Sequence, residues 1–482
     1  MTERLDTVPV SLHAPKITGS PPVWRVRHSD LRLAEHRYIF DVLLGEHLGL
    51  EFEIQPVPGL PWVELECPGV APGRVLKIGS NLLLRPSDQW MSAENLPVAP
   101  IPTWDCQALL PDWDLGPVPV LFPAPVETHT IPNDGGLFLP VDIFGGAFFL
   151  LTRYEELLNK ARDRHKRFAA SESLALKAGL LGRPIVDEYS RLLGQALAAS
   201  FPGFKPRAHP ARIRLTHDVD HPYQFFGKSV SQMAYAASKW LYHHPSPAQA
   251  LGLARAGAHS GFAGDISRDP FNSYANLMKA GETLGSQCEF YLMAGHRGRR
   301  HEEFYDLNQP ALQSLMREIH RRGHVIGLHA SYDSFGSSDM LIRERDHLVA
   351  SAKRAGISLN SIGGRQHYLR WENPTTWRSW EKAGLAYDAT LGFADHVGFR
   401  CGTSREFPVF DVLASKRLSL RERPLVVMDV TMTDYMNLRA EDMLGQLRRL
   451  WQTVKTVGGT FEVLIHNCNP QASWLADHLS RF

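Results

Sequence analysis

From Ala211 onward, short apolar runs alternate with helical stretches, and most runs end in a carboxylate, imidazole or guanidinium. The strand-like runs are ARIRLTH (211–217), CEFYLM (288–293), HVIGLH (324–329), LNSIGGR (359–365), LAYDAT (385–390), PLVVMDV (424–430) and FEVLIH (461–466). Between them the spacing predicts helices. Leu312, Leu315, Met316 and Ile319 fall at i, i+3, i+4 and i+7 behind Pro310, which suits a first helical position. Trp377 and Trp380 follow Asn373-Pro374, and Met443, Leu447, Leu450, Trp451 and Val454 mark a third helix. Strand–helix alternation predicts parallel strands, because each helical crossover returns the chain in the same direction. Seven or so such units favour a barrel. Residues 221–270 read as a long insertion after the first strand.

The first two hundred residues follow a different pattern. Residues 52–125 carry many prolines and short runs such as WVELEC (62–67) and RVLKIG (74–79), which read as strands joined by turns. From Asp142 to about Phe201 the pattern is helical, with Tyr154, Leu157 and Leu158 near one face. FPGFKPRAHP (201–210) reads as a linker. The expectation is an α+β region over 1–205 and a barrel over 206–482. With 482 residues, two or three domains is the natural division.

Lys+Arg is 52 against 51 Asp+Glu, which gives no basic surplus for a nucleic-acid partner. No run reaches the roughly 18 apolar residues of a membrane helix; the most apolar piece is IFGGAFFLL (143–151). MTERLDTVPVSLHAPK lacks the apolar core of a signal peptide. Cys67, Cys106, Cys288, Cys401 and Cys468 are scattered and odd in number, which argues against a disulfide framework. These features predict a cytoplasmic protein with reduced thiols.

In parallel α/β barrels the active site forms at the C-terminal ends of the strands. Here those ends deliver Asp218 and Asp220 (in THDVDHP), His329, Arg365 with His367, Asp388, and His466. Carboxylates and imidazoles are the ligands of a catalytic metal, which lowers the pKa of water and polarises a carbonyl. A further carboxylate can act as base and an imidazole as acid. The bland readings are a turn cap for the aspartates, a core histidine for His329 and a surface ion pair for Arg365. Two aspartates on one face of a strand end favour function, since strand side chains alternate. His324, at a strand start, reads as structural. His217 and His221 face away from the aspartates, and His296, His301 and His320 read as solvated. The Gly pairs at 135–136 and 363–364 lack a phosphate-loop pattern and read as turns.

In order along 211–470, these residues resemble the polysaccharide deacetylases with a NodB-like domain (carbohydrate esterase family 4-like), in a divergent branch with an extra N-terminal domain. Thr216-His217-Asp218-Val219-Asp220 is similar to that family's TFDDG segment. Gly323–His329 is similar to its GHEIGNHTxxH segment, Arg365-Gln366-His367-Tyr368 to its RxPY segment, and Leu464-Ile465-His466 to its late LxH segment. The resemblance implies a deformed (β/α) barrel and a divalent metal, usually zinc, held by one Asp and two His. It also implies an Asp base (Asp218) steered by an Arg (Arg365), a His acid (His466), and His329 as a metal ligand. Val219 stands where the family's metal Asp stands, so Asp220 substitutes, and the two aspartate roles could be exchanged. The family's second ligand His is Asp333 here. Either Asp333 ligates or His367 does; His367 keeps the Asp/His/His set that suits zinc. Tyr368, Asp388, Asp395, His396 and Arg400 are candidates for gripping substrate or tuning the acid.

The expected activity is hydrolysis of an N- or O-linked acetyl group on a carbohydrate, such as a cytoplasmic glycan precursor. Two rivals share the pattern: hydrolysis of another C–N amide on the same barrel, and a carbohydrate-binding protein that has lost the chemistry.

Overall fold

The computed structural model describes residues 23–124, 136–243, 247–295 and 305–482. Gly135, His296 and His301 lie outside them. In the N-terminal region, β1 (Val23–Ser29), β2 (Glu51–Val57), β3 (Trp62–Glu66) and β4 (Val75–Gly79) form a sheet with β7 (Leu137–Leu139), in the order β2-β1-β3-β4-β7. A separate ribbon pairs β5 (Thr103–Trp104) with β6 (Val118–Pro119). Alternation in β1 puts Trp24, Val26 and His28 in the interior. The run IFGGAFFLL forms a helix, Ile143–Leu151, buried along its whole length. Asp142 starts it, accepting from Gly145 N at 2.7 Å and from Asn81 N and Leu82 N across the fold.

The second region contains β8 (Ala211–Val219), β9 (Glu289–Met293), β10 (Val325–Ala330), β11 (Gly364–Gln366), β12 (Tyr387–Asp388), β13 (Phe407–Asp411), β14 (Lys416–Glu422), β15 (Val427–Met428) and β16 (Gly459–Leu464). They form one curled sheet, ordered β13-β14-β12-β11-β10-β9-β8-β16-β15. All pairings are parallel except the β13–β14 hairpin. This is a nine-stranded half-barrel, with β13 and β15 at its two edges. All seven sequence-predicted strands are present. The hairpin is not among them: its two strands lie between the expected strands at 385–390 and 424–430. The segments 359–365, 385–390 and 424–430 yield strands of three, two and two residues, shorter than expected. Glycines allow the close packing there, since a Cβ on Gly364 would lie 1.8 Å from the Leu328 carbonyl oxygen of β10.

The expected helices span Pro310–Arg321, Thr375–Lys382 and Ala440–Val457. Each buries its predicted stripe, except that Trp451 is half-buried. The insertion after β8 carries the helices Val230–His243 and Pro247–Ala256. Residues 201–210 carry no helix or strand, as a linker would. The regions on either side nevertheless share one hydrophobic core and are joined by buried polar contacts. Arg400 grips Glu156 with both Nε (3.0 Å) and Nη2 (2.7 Å). Asp187 accepts from Thr403 Oγ1, Ser404 N and Ser404 Oγ.

Candidate functional site

The site forms where β8, β10, β11 and β16 end. Strand alternation aims Asp218 and Asp220 to one side of β8, while His217 points into the core against Phe290 (centroids 4.7 Å apart). Burial lowers the His217 pKa to about 4, and its Nδ1 contacts the Ile465 carbonyl at 2.8 Å. His324 is buried at the other end of β10, where Nδ1 accepts from Cys288 N. Both are structural here. His320 is exposed.

Asp220, His329 and His367 converge: one ligand atom from each lies within 4.8 Å of the others. His329 Nε2 is 3.0 Å from Asp220 Oδ1, and His367 Nε2 is 3.6 Å from it. The Arg365 carbonyl oxygen, which can only accept, lies 3.0 Å from His329 Nδ1 and so fixes the proton there. In a neutral imidazole, Nε2 then presents a lone pair to a carboxylate oxygen. Two lone pairs at 3.0 Å repel unless a proton or cation lies between, and neither atom makes a hydrogen bond of acceptable geometry. Burial depresses the His329 pKa, but the Asp218 and Asp220 carboxylates override it and raise the value. A field that attracts a proton to this point attracts a metal cation too. The donor set therefore fits a divalent metal, and one aspartate with two histidines suits zinc.

Asp218 stands beside this group. Arg365 Nη1 donates to its Oδ1 at 2.8 Å, and His329 Nδ1 is 3.9 Å from Oδ2. Burial would raise the Asp218 pKa, but Arg365 above all, with His329 and His466, holds it below the ordinary range. Arg365 is fully buried, donating also to the Ala389 carbonyl (2.8 Å) and to Glu462 Oε1 (3.1 Å). On the opposite side, His466 Nε2 is 3.8 Å from Asp220 Oδ2. Its Nδ1 is 2.7 Å from Asp429 Oδ1, while Asp429 Oδ2 accepts from His466 N and Asn469 Nδ2. Burial disfavours the imidazolium, but Asp429 first, then Asp220 and Asp218, raise the His466 pKa to about 10.

Sequence reasoning missed Asp429 and Glu462. The signal for Asp429 was present, because it is the one charged residue of the run PLVVMDV, one position from its end. Glu462 was legible as a carboxylate inside an apolar strand, on the same face as Leu464 and His466.

The remaining expected residues scatter. Asp333 lies outside the three-ligand cluster, with Oδ1 3.3 Å from Arg370 Nη1. Tyr368 follows His367 directly, in a left-handed conformation (φ 61°). Asp388 is buried behind Arg365, accepting from Thr390 N at 3.0 Å, and burial pushes its pKa up to about 7. Asp395 accepts from Ala170 N at 3.2 Å, and His396 Nδ1 is 3.4 Å from Asp395 Oδ2. Arg400 departs from the substrate-gripping half of its expectation. It is buried against Glu156 and the Gly392 carbonyl, so it braces the two regions and cannot grip substrate.

Residues 26–202 match the model of DUF7033, a family of unknown function. No curated protein matches the chain. Four chains of known structure are similar, among them the following two. A protein described as a polysaccharide deacetylase from Mycobacterium smegmatis is 14% identical with a TM-score of 0.36, over 57% of this chain and 85% of that one. A polysaccharide deacetylase from Bacillus cereus is 10% identical with a TM-score of 0.28, over 57% of this chain and 86% of that one.

Proposed function

We propose that the chain is a metal-dependent hydrolase that removes an acetyl group from a carbohydrate. The observation that carries this reading is the convergence of Asp220, His329 and His367, flanked by an arginine-held carboxylate on one side and a carboxylate-held imidazole on the other. A divalent cation, for which zinc is our choice, would be held by Asp220, His329 and His367; it would supply Lewis-acid polarisation of the acyl carbonyl and acidify water.

The side chains perform the proton chemistry. Asp218, kept ionised by Arg365, accepts a proton from the attacking water. His466, kept protonated by Asp429, donates a proton to the departing nitrogen or oxygen, and acetate is released. The opposite shifts of Asp218 and His466 support a base role for the first and an acid role for the second at neutral pH. Glu462 fixes the far side of Arg365 and so its reach to Asp218.

Bound metal and released acetate test this together. Wild-type protein should carry about one divalent ion per chain and release acetate from acetylated amino sugars, and His329→Ala should lose both. A wild-type protein that takes up no zinc, cobalt or nickel would remove the proposal and favour a carbohydrate-binding role.

A further inference from the structure

The segment NKARDRHKRF (159–168) sets five cations against the single acid Asp163, in a chain whose net charge is only +1. A charge run is usually just a solvated face, but this one is fixed beside the metal centre. The Arg370 side chain donates to the His165 carbonyl at 3.0 Å, and the His165 ring reaches Tyr332 Oη at 3.0 Å. The His165 ring lies 4.8 Å from that of Tyr368, which lies 4.7 Å from that of His367. Arg167 ties the loop down by donating to the Tyr368 carbonyl (3.1 Å) and to Tyr435 Oη (3.1 Å). Two ring contacts therefore separate an N-terminal loop from a residue of the metal cluster.

Within the loop the charges divide into two sets. Asp163 is consumed by Arg167, at 2.7 Å, and by the backbone N–H groups of His165 and Arg167. Arg162 donates to the carbonyls of Asn159, Ala161 and Glu156. Lys160, Arg164 and Lys166 are exposed, and among the described residues no ion pair engages them. Of the acids near the loop, Asp333 Oδ1 lies 3.3 Å from Arg370 Nη1 and Asp395 accepts from Ala170 N.

We propose that Lys160, Arg164 and Lys166 form an anion subsite at the rim of the metal centre, and that the substrate carries a phosphate or carboxylate group that docks there. The N-terminal region then selects the substrate whose acetyl group the barrel removes. This assignment rests on the reading of the barrel as a deacetylase centre. Beside the loop, the half-buried rings of Tyr332 and Tyr368 contact the His165 ring, and Tyr435 Oη accepts from Arg167.

The test is calorimetric titration of the full chain, with and without zinc. The probes are UDP-glucose (a diphosphate ester without an acetyl group), glucuronate (a carboxylate) and glucose (neutral). Wild type should bind at least one anion and not glucose, and which anion binds distinguishes phosphate from carboxylate. Affinity should fall about tenfold or more in the triple variant K160E/R164E/K166E, at three exposed charges. It should persist in the charge-keeping variant K160R/R164K/K166R and weaken as salt is raised. Equal affinity in all three proteins, or no binding of either anion, overturns the subsite. Charge-dependent binding with no acetate released from any acetylated sugar would remove the deacetylase reading and leave the subsite standing. Acetate release without charge-dependent anion binding would do the reverse.

Discussion

Asp429→Asn keeps the side-chain volume beside His466 and removes one negative charge 2.7 Å from its Nδ1. The His466 pKa stands at about 10 against an ordinary 6.5, with Asp429 the largest raising influence. The whole shift corresponds to on the order of 5 kcal/mol in favour of the imidazolium. Removing an opposite charge at this distance typically moves a pKa by about 1–3 units, so the variant should titrate lower by an interval of that order. Two consequences are measurable. Histidine-labelled protein followed by NMR should show the His466 ring titrating lower than in wild type by that interval. The alkaline limb of the acetate-release profile should move down by a similar interval, because the proton donor is lost earlier. Stability responds with a defined sign. The folded-state pKa lies above that of the unfolded chain, so the pair stabilises the fold fully below pH 6.5 and loses that contribution as pH rises toward 10. The variant should therefore lose most stability near neutral pH and differ least from wild type at pH 10. An unchanged His466 titration in Asp429→Asn would refute the assignment of Asp429 as the group that holds the acid protonated.

The two aspartates of β8 can be separated: Asp218→Asn should abolish acetate release while retaining metal, and Asp220→Asn should lose the metal itself, both read by elemental analysis beside an acetate assay. If Asp218→Asn empties the site instead, the two roles are exchanged. Glu156→Ala leaves Arg400 buried without its carboxylate and should destabilise the whole chain by about 3–5 kcal/mol in denaturant titration. Gly364→Ala places a Cβ 1.8 Å from the Leu328 carbonyl oxygen, which forces β10 and β11 apart. A loss of roughly 3 kcal/mol or more in thermal melts is expected, beyond the 1–3 kcal/mol typical of overpacking because the clash is with backbone.

Much of the half-barrel was legible because its strands announce themselves twice, once by apolar runs and again by the polar residue that closes each run. That second signal is physical: a charged group at the end of a buried parallel strand has only the sheet's mouth in which to be solvated. It located Asp218, Asp220, His329, Arg365, His367 and His466 at neighbouring positions. It overlooks Asp429 because Val430 follows it, so the carboxylate sits inside the apolar run PLVVMDV and does not close it. The β13–β14 hairpin escaped because its strands follow one another without a helix, so alternation could not reveal them.

Arg400 and Asp333 show why the rest was not legible. Each sits at a sequence position that resembles a functional one, yet the partner that decides its role is distant in sequence. Arg400 is claimed by Glu156, 244 residues earlier, and Asp333 is drawn to Arg370 across a turn. No periodicity within the barrel carries information about a carboxylate contributed by the N-terminal region. The same holds for the loop at 159–168, whose charge is plain in the sequence. Its place beside His367 depends on Arg167 and His165 meeting a turn some two hundred residues away. The N-terminal region is therefore part of the site's architecture: removing it would unpair Arg400, release the turn that carries His367 and Tyr368, and strip the rim of its cations. A barrel expressed from residue 206 alone should on this reasoning fail to fold stably, and a stable, metal-binding fragment would show that the two regions are separable after all.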